Sequence, residues 1–307
     1  MGIVIFDGVA YGMLLFLIGV GLSITMGLMN FVNHAHGTFA MVGGYAASVL
    51  MNHFGVGFFP SLAAAFIAAA LVGAVLEFCF YRRLYRAHPL DQVLLSIGIV
   101  FVSVAVFTYF FGPTMQAFRL PPLLDGRISL LGLEVGRYRL FLIVCGVAVL
   151  AALLLVLGKT RYGAMVRAAV DNQRVAGGTG IHVQRLFFLT FSLGCGLAGL
   201  GGALSLGMLG LEPSFPLKYL VYFLIVVCVG GAGTITGPFI AALLVGIVDV
   251  AGKYYLPEAG AFLIYVVMII MLLARPNGII PRKGLACLLY TSPSPRDLST
   301  SRMPSSA

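Results

Sequence analysis

Stretches of about twenty apolar residues recur along this chain, and no other feature constrains its fold as tightly. They fall near residues 9–29, 38–54, 61–81, 92–111, 140–157, 186–208, 219–233, 237–252 and 261–274. A helix of that length matches the hydrocarbon thickness of a bilayer. Composition agrees, because 60% of the 307 residues are hydrophobic and 9% are charged, against about 25% charged in a soluble domain. The expected fold class is all-α, a polytopic transmembrane helical bundle of eight or nine spans with broken glycine-rich helices. The seventh and eighth windows are short, and GGAGTITG at 230–237 separates them. They read either as two full spans or as one broken pair that turns inside the membrane. The amino end, Met1 to Asp7, has no basic region ahead of the first run, so no cleavable signal peptide is expected.

The net charge of +9 does not point to nucleic acid, because the basic residues sit in short loops between apolar runs. One set of alternate loops holds Arg82, Arg83, Arg86, Lys159, Arg161, Arg167, Arg174, Arg185, Arg275, Arg282 and Lys283. The other holds Arg119, Arg127, Arg137, Arg139, Lys218 and Lys253. The positive-inside rule assigns the richer set to the cytoplasm. With nine crossings the amino end is then outside and the carboxyl end cytoplasmic.

No catalytic set is expected. GxSxG, HExxH and GxxxxGK[ST] are absent from the sequence, so the chain has no site for ATP. Cys79, Cys145, Cys195 and Cys228 lie singly in apolar stretches and Cys287 in the tail, without CxxC spacing. His34 and His36 stand about 200° apart on a helix, with no third ligand nearby, so no metal site is expected. Of the ionisable residues inside spans, Glu77 and Asp249 lie near helix ends. Glu77, close to Tyr81 and Arg82, reads as a partner for basic loop residues. An intramembrane acid pair and an arginine ladder are both missing, which removes the usual apparatus of proton coupling and voltage sensing.

Three segments interrupt the apolar pattern. In MGLMNFVNHAHGTFAMVGGYAA, residues 26–47, Asn30, Asn33, His34 and His36 separate two apolar runs, and Gly37, Gly43 and Gly44 follow. Polar groups at membrane depth survive only inside the protein or beside a water-filled cavity, and such breaks are where transporters expose backbone groups to substrate. The alternative is a short cytoplasmic turn with solvated histidines. In VVCVGGAGTITGPFIAALLVG, residues 226–246, Gly230, Gly231 and Gly233 free the backbone, and Thr234 and Thr236 offer replacement hydrogen bonds. Close packing through small residues is the other reading of that segment, and both can hold together. The third segment, 158–185, is too polar to span. It reads as a surface helix from Ala164 to Ala176, stopped by Gly177, Gly178 and Gly180, and serves either as a docking surface or as an ordinary interfacial loop.

With these residues in hand, the chain resembles the permeases of branched-chain amino-acid ABC importers, the LivH/LivM family. NFVNHAHGTFAMVGGYAA looks like that family's NFAHG-type motif and favours a LivH-like subunit. RYGAMVRAAVDNQRVAGGTGIHVQRLFFLTFSLGCGLAGLGGAL looks like its cytoplasmic coupling segment and the following span. VGGAGTITGPFIAALLVG and RPNGII, at 275–280, look like its late elements. The resemblance covers roughly 1–284, as one permease domain. It implies a bacterial inner-membrane transport subunit that is not itself an enzyme. Its implied partners are a LivM-like second permease subunit, two cytoplasmic ATPase subunits that hold the ATP, a periplasmic substrate-binding protein and membrane lipid. Arg167, Ala168, Ala169, Asn172, Ala176, Gly180 and Ile181 match the coupling pattern. Asn30, Asn33, His36, Gly37, Gly230, Gly231, Gly233 and Thr234 are the expected translocation residues. His34 is an additional polar residue relative to the family motif. Related permeases import urea and short amides, and a stand-alone secondary transporter is the reading from another class. From Cys287 on, the Ser- and Pro-rich CLLYTSPSPRDLSTSRMPSSA has no apolar period. Residues 285–307 are therefore expected to be a disordered tail, and they resemble translated vector sequence.

Overall fold

The computed structural model describes residues 1–280 except 30–31, 86, 117–119, 131–132, 232, 259 and 276–277. Asn30 and the 285–307 tail lie outside the described residues. Every apolar window is a helix. In chain order these are α1 (Gly2–Met29), α2 (His36–Asn52), α3 (Phe58–Leu76), a π-helical turn (Glu77–Tyr81), α4 (Arg82–Leu84) and α5 (Pro89–Phe111). A short antiparallel hairpin, β1 (Arg127–Leu130) and β2 (Leu133–Gly136), comes next, with Arg127 opposite Gly136. Then follow α6 (Arg137–Lys159), α7 (Arg161–Asp171), α8 (Gln173–Gly178), α9 (Val183–Ser205), α10 (Phe215–Gly230), α11 (Thr236–Tyr255) and α12 (Gly260–Ala274).

Six helices among the described residues are long and apolar enough to cross a membrane: α1, α3 continued through Leu84, α5, α6, α9 and α11. Helices α2, α10 and α12 have 17, 16 and 15 residues. At 1.5 Å per residue they reach only about 22–26 Å, short of a core of about 30 Å. The protein is thus a membrane-embedded helical bundle that combines six long apolar helices with three shorter ones among the described residues.

Small residues fix how the helices approach. Helices α1 and α9 form the centre, with 72% and 67% of their apolar windows buried against 11% for α5 and α6. Gly8 and Gly12 of α1 lie against Ile247, Ala242 and Leu243 of α11, where a Cβ on Gly12 would stand 2.7 Å from the Ala242 carbonyl oxygen. On α9, Gly194 abuts Gly21 of α1, and Gly199 and Gly202 abut Gly43 and Ala40 of α2. Lipid tails are as apolar as leucine, so burial alone cannot drive these helices together. Backbone-to-backbone van der Waals contact supplies the attraction that glycines make possible.

The contacts also sort the loops by end. Asp7 pairs with Arg139, and the Tyr255 hydroxyl reaches Met1 Sδ, at the amino end of α1. At the carboxyl end of α1, Gly27 meets Gly233, and Ile24 packs with the cluster of Val166, Ala169, Ala176, Leu186 and Phe187. Tyr85, just past α4, packs on the same cluster and Gly278 lies against Gly231, so α4, the α7–α8 pair and residues 278–280 share that end of the bundle.

Candidate functional site

The first polar segment is not a solvated turn. His36 is 2% exposed, and its Nε2 lies 2.9 Å from the Ile18 carbonyl oxygen. A carbonyl can only accept, so Nε2 carries the proton. Ile18 lies eleven residues before Met29, about 16 Å back along α1. The chain therefore re-enters the bundle between α1 and α2, and α2 begins at depth. Asn33, 1% exposed, accepts with Oδ1 from the Ala35 amide (3.0 Å) and from the Tyr81 hydroxyl (2.8 Å), while its Nδ2 has no protein partner. Gly37 is packed on the start of α10, where a Cβ would stand 3.0 Å from Pro216 Cα.

The second break sits beside α1. Gly231 and Gly233 adopt φ of 97° and 80°, the left-handed region that favours glycine. The freed backbone groups find partners. The Gly233 amide donates to the Ser23 carbonyl (3.0 Å), Ser23 Oγ donates to the Thr234 carbonyl (2.9 Å), and Thr234 Oγ1 donates to the Gly231 carbonyl (3.0 Å). The late element closes over it, with the Ile279 amide on the Val229 carbonyl at 2.8 Å. Backbone release and close packing hold together at this break. Its contact with Ser23 lies about 9 Å inside the end of α1, six residues before Met29. Both breaks therefore lie within the bundle and against the same helix.

Between α6 and α9 the structure departs from a single helix over Ala164 to Ala176. Asn172 takes φ −154° and ψ 106°, and its Oδ1 accepts from the amides of Arg174 (3.0 Å) and Val175 (3.2 Å). An asparagine that caps the next helix must leave helical geometry itself, so one helix becomes two. Gly180, at φ 88°, then ends α8, with its amide on the Gly177 carbonyl and the Ile181 amide on the Ala176 carbonyl. That is the glycine-terminated Schellman arrangement.

The pair is clamped from below. Val166, Ala169 and Ala176 are buried against Leu186 and Phe187, and the exposed Arg167 donates from Nη1 to the Leu157 carbonyl near the end of α6. Asn172 and Gly180 face outward, while Ala168 and Ile181 are half-buried. The outcome is a pair of short surface helices seated on Leu186 and Phe187.

Two residues that hydropathy does not mark join these regions. Tyr81 is buried against Phe191 and bonds Asn33. Tyr85 packs edge-on to Phe187, and its hydroxyl donates to Glu77 Oε1 at 2.7 Å. Burial pushes the Tyr85 hydroxyl far above its usual range, so it stays a donor. Among the described residues Glu77 makes no salt bridge to a basic loop residue, and Arg82 donates instead to Gln184 Oε1 at 2.6 Å. In an α-helix residue i+8 would stand about 80° out of phase. The wider π turn at 77–81 brings Tyr85 round to Glu77. A cleft of about 790 Å³ opens beside this turn, lined by Glu77, Arg82, Gln173, Gly177, Ile181 and Gln184 among others. Among the described residues no group of three or more His, Cys, Asp or Glu side chains is placed to hold a metal.

Residues 4–272 match the family model described as branched-chain amino acid transport system / permease component. The chain is 28% identical to the probable branched-chain amino acid transport permease protein LivH of Methanocaldococcus jannaschii, over 92% of this chain and 94% of that one. It is 27% identical to the high-affinity permease protein BraD of Pseudomonas aeruginosa, over 90% and 94%. Identity to the permease protein LivM of Escherichia coli is 23%, over 88% of this chain but 68% of that one. No solved structure matches the chain.

Proposed function

Because the chain belongs to the family of branched-chain amino acid transport permease components, we propose that it is the LivH-like membrane subunit of an ATP-driven importer for those amino acids. The similarity that runs the whole length of LivH-type permeases carries this reading. The more partial coverage of a LivM-type chain supports a distinct, LivM-like partner subunit.

In this reading residues 1–284 are one permease domain in a bacterial inner membrane. The end that holds α4, α7–α8 and residues 278–280 faces the cytoplasm. Two separate ATPase subunits bind and hydrolyse ATP, and a periplasmic protein delivers substrate. The exposed pair of helices α7 and α8 is the contact for one ATPase. Arg167, Asn172, Gly180 and Ile181 shape its surface, and Ala168, Ala169 and Ala176 seat it on the bundle. Closure of the ATPases on ATP displaces this helix pair and shifts the population between outward-open and inward-open states. The re-entrant residues Asn33, His36 and Gly37, with Gly230, Gly231, Gly233 and Thr234, form the part of the bundle that rearranges along the pathway. A pair of breaks stacked on one helix suits that task, because two packings can differ there without exposing backbone to lipid.

The test is reconstitution. The chain, its partner permease, both ATPases and the loaded binding protein are placed in liposomes, and labelled leucine uptake is followed with and without ATP. Uptake that needs ATP and all partners is expected, and excess urea should not compete. Leucine uptake by this chain alone without ATP would refute the proposal, as would competition by urea.

A further inference from the structure

The contact between α2 and α5 is built differently from the others. Where α1, α2, α9 and α11 meet through glycines, α5 presents Ser96, Val100, Ser103, Phe107 and Phe111, a stripe spaced by four, three, four and four residues on one helical face. Opposite stand His34, Thr38 and Tyr45. Ser103 Oγ lies 3.1 Å from Thr38 Oγ1, and Ser96 Oγ lies 3.4 Å from His34 Nδ1. The Tyr45 ring packs 4.7 and 4.6 Å from those of Phe107 and Phe111. Ser96, Thr38 and Tyr45 are 0, 3 and 1% exposed. On its other faces α5 is bare, with Leu94, Val102 and Tyr109 at 68, 65 and 84% exposed.

This seam has two zones, one of uncharged hydrogen-bonding groups and one of three aromatic rings. It is also made to part. The Ser96 and Ser103 hydroxyls donate to the Val93 (2.8 Å) and Val100 (2.7 Å) carbonyls of their own helix. Neither serine donor is orphaned when α5 withdraws, and the Thr38 and His34 donors, which the serine oxygens accept across the seam, turn instead to whatever fills the opened space. Withdrawal would uncover Thr38, His34 and the outward lone pairs of both serines.

We propose that the α2–α5 seam is a substrate-binding stretch of the pathway and that α5 is its moving wall. This rests on the amino-acid importer reading. A zwitterion with an apolar side chain fits both zones. Its ammonium and carboxylate exchange water for the Thr38, Ser96, Ser103 and His34 groups, while its side chain lies against Tyr45, Phe107 and Phe111. A net-charged amino acid would leave an uncompensated charge in the same seam.

The experiment uses the complete reconstituted importer. Ser103→Cys is made in a chain whose Cys79, Cys145, Cys195, Cys228 and Cys287 are replaced by alanine. Labelling by a water-soluble thiol reagent should change at least about fivefold between nucleotide-free and ATP-bound states, and leucine-loaded binding protein should slow it during turnover. In parallel, Thr38→Val and Ser103→Ala should lower the leucine moved per ATP hydrolysed by about tenfold, with the melting temperature held. Tenfold is the worth of about one hydrogen bond, 1.4 kcal/mol. Labelling indifferent to both leucine and nucleotide would overturn the seam, as would variants whose losses merely track their melting temperatures, the mark of polar residues acting as helix glue. If the unmodified importer fails to move leucine, the amino-acid reading falls first. If it moves leucine while the seam variants are silent, only the seam falls.

Discussion

Replacing Gly12 by alanine tests whether backbone contact, rather than general apolarity, holds this bundle together. The new Cβ would stand 2.7 Å from the Ala242 carbonyl oxygen and 2.9 Å from Leu243 Cα, both backbone atoms of α11. Neither can rotate away, so α1 and α11 must part by about half an ångström. Overpacking of this kind costs about 1–3 kcal/mol. Alanine returns up to about 1 kcal/mol of helix propensity, leaving a net loss of about 0–2 kcal/mol. Gly98 on α5 is the matched control, with nothing within 4 Å of its would-be Cβ, so Gly98→Ala keeps only the propensity gain. The propensity gain cancels between the two variants, so they should differ by the overpacking cost of about 1–3 kcal/mol, or about 2–12 °C in melting temperature at about 2–4 °C per kcal/mol. Thermal unfolding in one detergent, read by size-exclusion chromatography of heated samples, makes the comparison. A Gly12→Ala protein that melts as high as the Gly98→Ala protein would refute the packing argument.

The remaining predictions concern side chains. Lys253→Ala strips the partner from Asp249, whose side chain is 2% exposed and also accepts from Tyr222. Because Lys253 is itself 53% exposed, the loss should be about 1–3 kcal/mol, and adding Asp249→Asn should restore much of it in the same melting assay. Asn172→Ala removes both capping bonds of α8, worth about 1 kcal/mol. Hydrogen exchange over residues 173–178 should accelerate, and ATP-dependent uptake should fall with it, whereas Asn172→Asp keeps both. His36→Phe leaves the Ile18 carbonyl without its side-chain donor and should cost about 1–3 kcal/mol. A melting temperature unchanged by that substitution would contradict re-entry at this depth.

The hydropathy of the sequence was enough to determine that this protein lives in a membrane as helices, where those helices lie, and which three segments break the pattern. Hydropathy and turn chemistry act within a few residues, so a single chain displays them directly. It also displayed Asn33, His36 and the 230–234 glycines as unusual, and the alanines of 164–176 as helical.

What those residues touch was not readable. The bond from His36 to Ile18, the contact of Ser23 with Thr234 and the return of Ile279 to Val229 join positions 18, 211 and 50 residues apart. Such pairings are fixed by which glycines let which backbones meet, and that is a property of the assembled bundle. Local pattern also failed at Asn172 and Glu77. The Asn172 amide oxygen caps α8 where a continuous helix was expected, and the Glu77 carboxylate takes the Tyr85 hydroxyl across the π turn; in both places the segment packs on Leu186 and Phe187 of α9, which the local pattern does not contain.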